Sequence, residues 1–339
     1  MANVPLPPLE KVDPAKAWEP AGNEPWSLKW AGHLYRRAAF GANLHELRQA
    51  VREGLPATLD RLLNVGEREN VLATAGDLIA RNRSNAYDLR GWWLYTMLNS
   101  TQPLAEKMTL FWHNHFATSI AKVQRTLLMF KQNQLIRQYA LGKFRPLLLA
   151  MSKDPAMLVW LDSNSNVKGR PNENYAREVM ELFSLGVGNY TEADVREAAR
   201  AFTGWHTDDD EFEFNPKLHD DGEKTVLGMK GKLNGDDVVR IVLDQKAAAR
   251  FLVRKTYAFF ISESAEPPAA LLEPLAEQYR KSDYDTGAVV RVVLRSRHFY
   301  SDYAYRKRIK SPVEFVLGAV RAVTTGRIQQ VSLISKLDS

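Results

Sequence analysis

Helix-start and helix-stop signals punctuate this sequence along most of its length, while hairpin signals are confined to one stretch. Asp154-Pro155 reads as an N-cap followed by a first helical residue: the aspartate oxygen can take up a free amide of the first turn, and proline has no amide to leave unbonded. Thr191-Glu-Ala-Asp194 and Ser311-Pro-Val-Glu314 have capping-box spacing, in which hydroxyl and carboxylate each bond the other's backbone amide. Gly186 and Gly204 mark helix ends, and Gly54 with Pro56 brackets a turn between two short helices. With apolar residues recurring at helical period, these signals predict a mainly α chain, a globular multi-helix bundle of about a dozen helices.

The exception runs from His206 to Asp236. Glu-Phe-Glu-Phe alternation at 211–214, and glycines and acids around Thr225 to Leu233, predict a small β-hairpin or irregular excursion from the helical body. Segments of this kind often carry function.

A chain of 339 residues, 45% of them hydrophobic, can bury a large core. The expected organisation is a flexible segment over 1–25, rich in Pro, Ala and Glu, and then one large helical domain over 26–339 with a point of subdivision at 262–268. Leu147 to Met151 and Ala156 to Leu161 are apolar but fall well short of the roughly 20 residues a membrane span requires. The first residues lack the charged start, apolar run and cleavage site of a signal peptide.

With no cysteine, disulfides, thiolate nucleophiles and cysteine metal sites are excluded, and any metal must be held by His, carboxylate or carbonyl oxygen. A formal charge of +6 favours anionic partners. The distribution argues against nucleic acid, because the basic run Arg306 to Lys310 is set against acidic runs at Asp208 to Glu213 and Asp220 to Glu223. A protein partner or an anionic small molecule remains.

Asn174 to Phe183 is the stretch richest in chemistry. On a helix, Asn174, Arg177, Glu178 and Glu181 form one polar stripe, and Tyr175, Val179, Leu182 and Phe183 form an apolar one. Two carboxylates and a guanidinium on one face suit acid–base work or metal binding, and equally a structural network tying helices together. In Phe111-Trp-His-Asn-His-Phe116 the two histidines stand about 200° apart on a helix, so both reach one ion only if the helix ends before His113. His219 with Asp220 or Asp221 can supply a ligand or a proton-transfer pair, or can form a plain Asp-Asp-Gly turn. Asp162 to Glu173 imitates a calcium loop but has Val167 where that loop needs glycine, and reads as a polar connection. Phosphate-binding loops, dinucleotide glycine fingerprints, zinc helices of the His-Glu-x-x-His type and serine nucleophile elbows are all missing.

Several segments carry a family resemblance: His33-Leu-Tyr-Arg-Arg-Ala-Ala-Phe-Gly41, Phe111 to Phe116, Arg170-Pro-Asn-Glu-Asn-Tyr-Ala-Arg-Glu178 continuing through Glu181 to Gly188, Tyr190 to Trp205, His219 to Thr225, and Lys310-Ser-Pro-Val-Glu-Phe315. In these the chain resembles the bacterial family called domain of unknown function 1800. The resemblance spans nearly the whole chain and brings no reaction with it. It implies relatives that look exported, and a continuation past Ser339 through a Trp- and Gly-rich segment and another helix, so that this chain ends short of the family pattern.

The leading expectation is a metal-dependent enzyme, a hydrolase or oxidoreductase, with Glu178, Glu181, Arg177 and His219 as catalytic residues. Asn174 and Asp220 would assist in holding a cofactor, and His113, Glu178, Glu181 and His219 would ligate a divalent metal. The alternative is a noncatalytic interaction or scaffold module that partners exported or surface proteins, with the same motifs as buried networks.

Overall fold

Each helix start read from the capping motifs is formed in the computed structural model, which describes residues 8–22, 26–64, 70–81, 86–264 and 266–324, whereas the helices expected to run to Gly186 and Gly204 stop earlier, at Glu181 and Ala201. Asp154 accepts from the Met157 amide at 2.9 Å, and both capping boxes, Thr191 with Asp194 and Ser311 with Glu314, are closed in both directions. The turn at Gly54 interrupts Leu44–Leu63, where Gly54 takes φ 82° ahead of Pro56. Among the described residues there are 17 α-helices and four short strands, so the chain is mainly α as expected. The helices outnumber the expected dozen because pieces such as Pro14–Ala17, Ile120–Val123 and Pro155–Trp160 are too short to show a helical period.

The excursion contains two hairpins. Strand β1 (Trp205–Asp208) pairs antiparallel with β2 (Glu211–Phe214), and β3 (Lys224–Val226) with β4 (Met229–Gly231). Each pair is joined by two residues at positive φ, Asp209-Asp210 and Leu227-Gly228, the backbone that matches the twist of a two-residue hairpin. No helix among the described residues is long and apolar enough to cross a membrane.

Within the segment expected to be flexible, residues 8–22 include the helix Pro14–Ala17, and the Trp18 indole donates to the Leu271 carbonyl at 2.7 Å. Residues 1–7 and 23–25 of that segment, and position 265 of the expected subdivision, lie outside the described residues.

The chain gathers into two compact units, one of Met1–Leu110 with Val253–Ser339 and the other of Phe111–Leu252. In the first, Pro312–Val323 packs Leu317 against Phe40, Met97 and Leu98. In the second, Trp112 stacks on Phe144 at 5.0 Å, and Phe116 meets the edge of Phe183 at 5.2 Å. Every side chain expected in the candidate site belongs to this second unit.

Candidate functional site

The helix Asn174–Glu181 forms as expected, with Tyr175 and Val179 buried beneath it. Leu182 departs from expectation. The helix stops at Glu181, so Leu182 becomes the C-cap and is 45% exposed, while Phe183 turns inward. Arg177 makes no ion pair with the two carboxylates it was expected to compensate, although its charge partly opposes the upward shift of Glu178. It makes a two-pronged bond to Glu192 at 2.8 and 2.7 Å and a further one to Glu173 at 3.1 Å, and these partners hold its guanidinium above its usual pKa. Glu181 accepts the Tyr190 hydroxyl at 2.6 Å. Asn174 is exposed, and its amide donates to the Asn172 side chain at 2.9 Å.

Glu178 is treated differently. Its carboxylate is half-buried, and burial together with the Glu181 charge pushes its pKa upward. Among the described residues it has no hydrogen bond or ion pair from any side chain.

His219 is buried against the edge of Phe214, with Nδ1 at 2.8 Å from the Thr203 carbonyl. A ring nitrogen facing a carbonyl oxygen carries a proton and donates it, so Nδ1 is committed to the backbone. Asp220 is taken by Arg200 at 2.8 Å and by the Gly222 amide at 2.9 Å, and the Arg200 bond holds its carboxyl down at about 2. The buried Lys224 caps the Asp220 and Gly222 carbonyls. This is an Asp-Asp-Gly turn clamped from both sides. Gly204 at φ 83° allows the clamp, since a Cβ there would lie 2.6 Å from the Asn215 carbonyl oxygen.

The Pro103–Phe116 helix continues through both histidines, which keeps them about 200° apart. His115 is buried with Nε2 at 3.1 Å from the Phe183 carbonyl. His113 is partly buried, and burial lowers its pKa to about 4, so it is a neutral imidazole at physiological pH.

The four expected metal ligands are not brought together. Among the described residues no group of three or more His, Asp or Glu side chains is placed to hold a metal ion. Arg177 joins its own helix to Glu192, and Asp220 is held by Arg200, at opposite ends of Glu192–Ala201. Eight residues at helical rise separate those ends by about 12 Å, several times a metal–ligand bond.

The first unit holds a buried polar cluster that was not among the expected site residues. Lys107 is 0% exposed and paired with Glu314, which also accepts Arg308 at 3.1 Å. Burial pushes Lys107 down to about 8 against the pull of Glu314, and it works upward on Glu314, where Lys107 and Arg308 prevail and hold the carboxyl at about 2. Arg37 lies alongside, donating to the Phe260 carbonyl at 2.9 Å. The ammonium of Lys107 also sits over the rings of Phe40 and Phe259 at 5.0 and 5.7 Å.

A family model described as "Protein of unknown function (DUF1800)" matches residues 33–338. The chain belongs to the DUF1800 family. No curated protein and no solved structure matches it.

Within this DUF1800 chain, the segment His33 to Gly41 and the segment Lys310 to Phe315 meet at the Lys107–Glu314 pair, through Phe40 and Arg37 from one and Glu314 from the other. The only signal in the sequence was that polar residues recur inside these segments. Their pairing across 207 positions is not legible from spacing.

Proposed function

We propose that this DUF1800 chain is a noncatalytic recognition module that docks a protein segment presenting a basic residue beside a large apolar one. The observation that carries this reading is Glu178, a half-buried carboxylate with no ion pair of its own, whose charge burial and Glu181 raise in energy and Arg177, bonded to Glu192 and Glu173, only partly offsets. A ligand ammonium or guanidinium would relieve both burial and repulsion. Apolar surface lies in the same run of chain: Leu182 one turn on, and Val187, 77% exposed. The loop bearing Val187 is pinned by the Asn189 amide, which reaches the carbonyls of Leu185, Gly186 and Val187 at 3.0, 3.3 and 3.4 Å. A side chain presented on a pinned loop loses little entropy on binding. His219, Asp220 and Arg177, the other expected catalytic groups, are committed to bonds that shape the fold. The metal-dependent hydrolase or oxidoreductase reading needs four ligands in one place and lacks that support.

Selection of a random peptide display library on the full chain tests the proposal. The expected outcome is enrichment of peptides pairing Lys or Arg with a large apolar residue, their binding abolished by Glu178→Lys and by Val187→Asp at unchanged melting temperature. Peptides that bind both variants as well as the parent, or no enrichment over a bare surface, would overturn it. Elemental mass spectrometry on the same preparations serves the rival reading: near-stoichiometric metal lost in Glu178→Ala would restore the enzyme.

A further inference from the structure

The helix Pro312–Val323 buries Glu314 and Leu317, yet the positions it turns outward are Pro312, Phe315, Ala319, Ala322 and Val323, and none of them is polar. They fall at i, i+3, i+7, i+10 and i+11, a single stripe along the helix. A surface helix ordinarily turns charged and polar residues to water, so an outward stripe without any marks a face that meets something else. Phe315 is 63% exposed and Val323 84%.

The run leading into this helix supplies the second observation. Arg306, Lys307 and Lys310 are exposed there, and the exposed Lys29 joins them, its ammonium 4.5 Å from the centre of the Tyr305 ring and the Arg306 guanidinium 5.2 Å from the same ring. The Lys310 ammonium lies 5.9 Å from the Phe315 ring, so charge and stripe are continuous. Among the described residues none of these cations forms an ion pair. The carboxylates nearby are engaged elsewhere: Glu314 with Lys107 and Arg308, and Glu263 with Arg308 and with the Ile309 amide at 3.1 Å. Behind them burial lowers the Arg36 pKa; Tyr305 opposes this in part, and the charge of Arg306 adds to it. Ile309 stands among these cations 84% exposed, on a loop that its bond to Glu263 holds in place. A side chain so open has no groove around it to receive a peptide, whereas a lipid surface needs none, because it closes over whatever projects into it.

We infer that this part of the first unit docks on an anionic lipid surface, with Ile309, Phe315 and the outward stripe entering the headgroup boundary and Lys29, Arg306, Lys307 and Lys310 meeting the lipid phosphates. Apolar insertion and charge are each weak alone, and together they anchor a protein reversibly. The helix lies on the surface; it is not long and apolar enough to cross it. The surface uses no residue of the second unit's docking face and goes beyond the recognition reading.

Flotation of the full chain with vesicles of equal parts phosphatidylglycerol and phosphatidylcholine, against vesicles of phosphatidylcholine alone, tests this. The chain is expected to float with the anionic vesicles only, and to be released as salt is raised, because screening removes the charge contribution. Lys307→Gln and Lys310→Gln should each weaken binding by roughly fivefold, the worth of one cation at such a surface, and Ile309→Asp by roughly tenfold. All three side chains are exposed and bonded to nothing in the fold, so the variants should melt with the parent, which separates lost docking from lost folding. The inference falls if no vesicles bind, if neutral vesicles bind as well, if Ile309→Asp floats like the parent, or if polyglutamate or duplex DNA binds as tightly as the anionic vesicles. It falls too if sedimentation equilibrium finds a dimer that Phe315→Asp dissociates, for then a second copy covers the stripe.

Discussion

Asp154 shows what one residue can be asked to do. It caps Pro155–Trp160 through the Met157 amide and also accepts the Gln132 amide at 2.6 Å, yet burial outweighs these bonds and raises its carboxyl from 3.8 to about 7. Between those two values the folded chain retains a proton that the unfolded chain has released. Stability therefore falls as pH rises through that window, by up to about 1.4 kcal/mol per pH unit. In urea unfolding measured across the window, Asp154→Asn should remove this slope, since an amide holds no titrating proton. A parent whose stability is flat or rising there would contradict the assignment. Tyr175, one of the segment residues that carry the family resemblance, reaches into the same interior and donates to Ser152 at 2.5 Å. It is a structural group in a stretch read from the sequence as chemistry.

At the scale of elements, the sequence was legible wherever the determinant was local. Caps at Asp154, Thr191 and Ser311 could be read because donor and acceptor are separated by three residues. The polar stripe from Asn174 to Glu181 could be read because helical period is local too. The destination of Arg177 could not, since Glu192 lies beyond the end of its helix, and neither could the outward turn of Leu182, which follows from the helix stopping one residue earlier. Gly204 was marked as a helix stop; that the backbone of the His219 turn presses against it is a tertiary fact. Gly204→Ala combines a left-handed backbone with a Cβ 2.6 Å from the Asn215 carbonyl oxygen, and should cost about 1–3 kcal/mol in chemical denaturation. An unchanged midpoint would mean that the Thr203–Asn215 region yields more easily than its bonds suggest.

At the scale of the whole molecule, the two units differ in how their sequence is assembled. Phe111–Leu252 is one continuous stretch, while the first unit is joined across large separations: Trp18 to Leu271 over 253 positions, and Lys107 to Glu314 over 207. Breaking the latter pair from one side leaves an ammonium in an apolar interior, so Glu314→Gln should cost about 3–5 kcal/mol. The double change Lys107→Met with Glu314→Leu should recover most of that, as urea denaturation of the set can establish. A Glu314→Gln chain as stable as the parent would show that Lys107 sheds its proton without penalty. The same pair has a consequence during synthesis. A chain released before residue 314 carries Lys107 with no carboxylate to meet it, so the interior around that ammonium can close only once the late helix has been made.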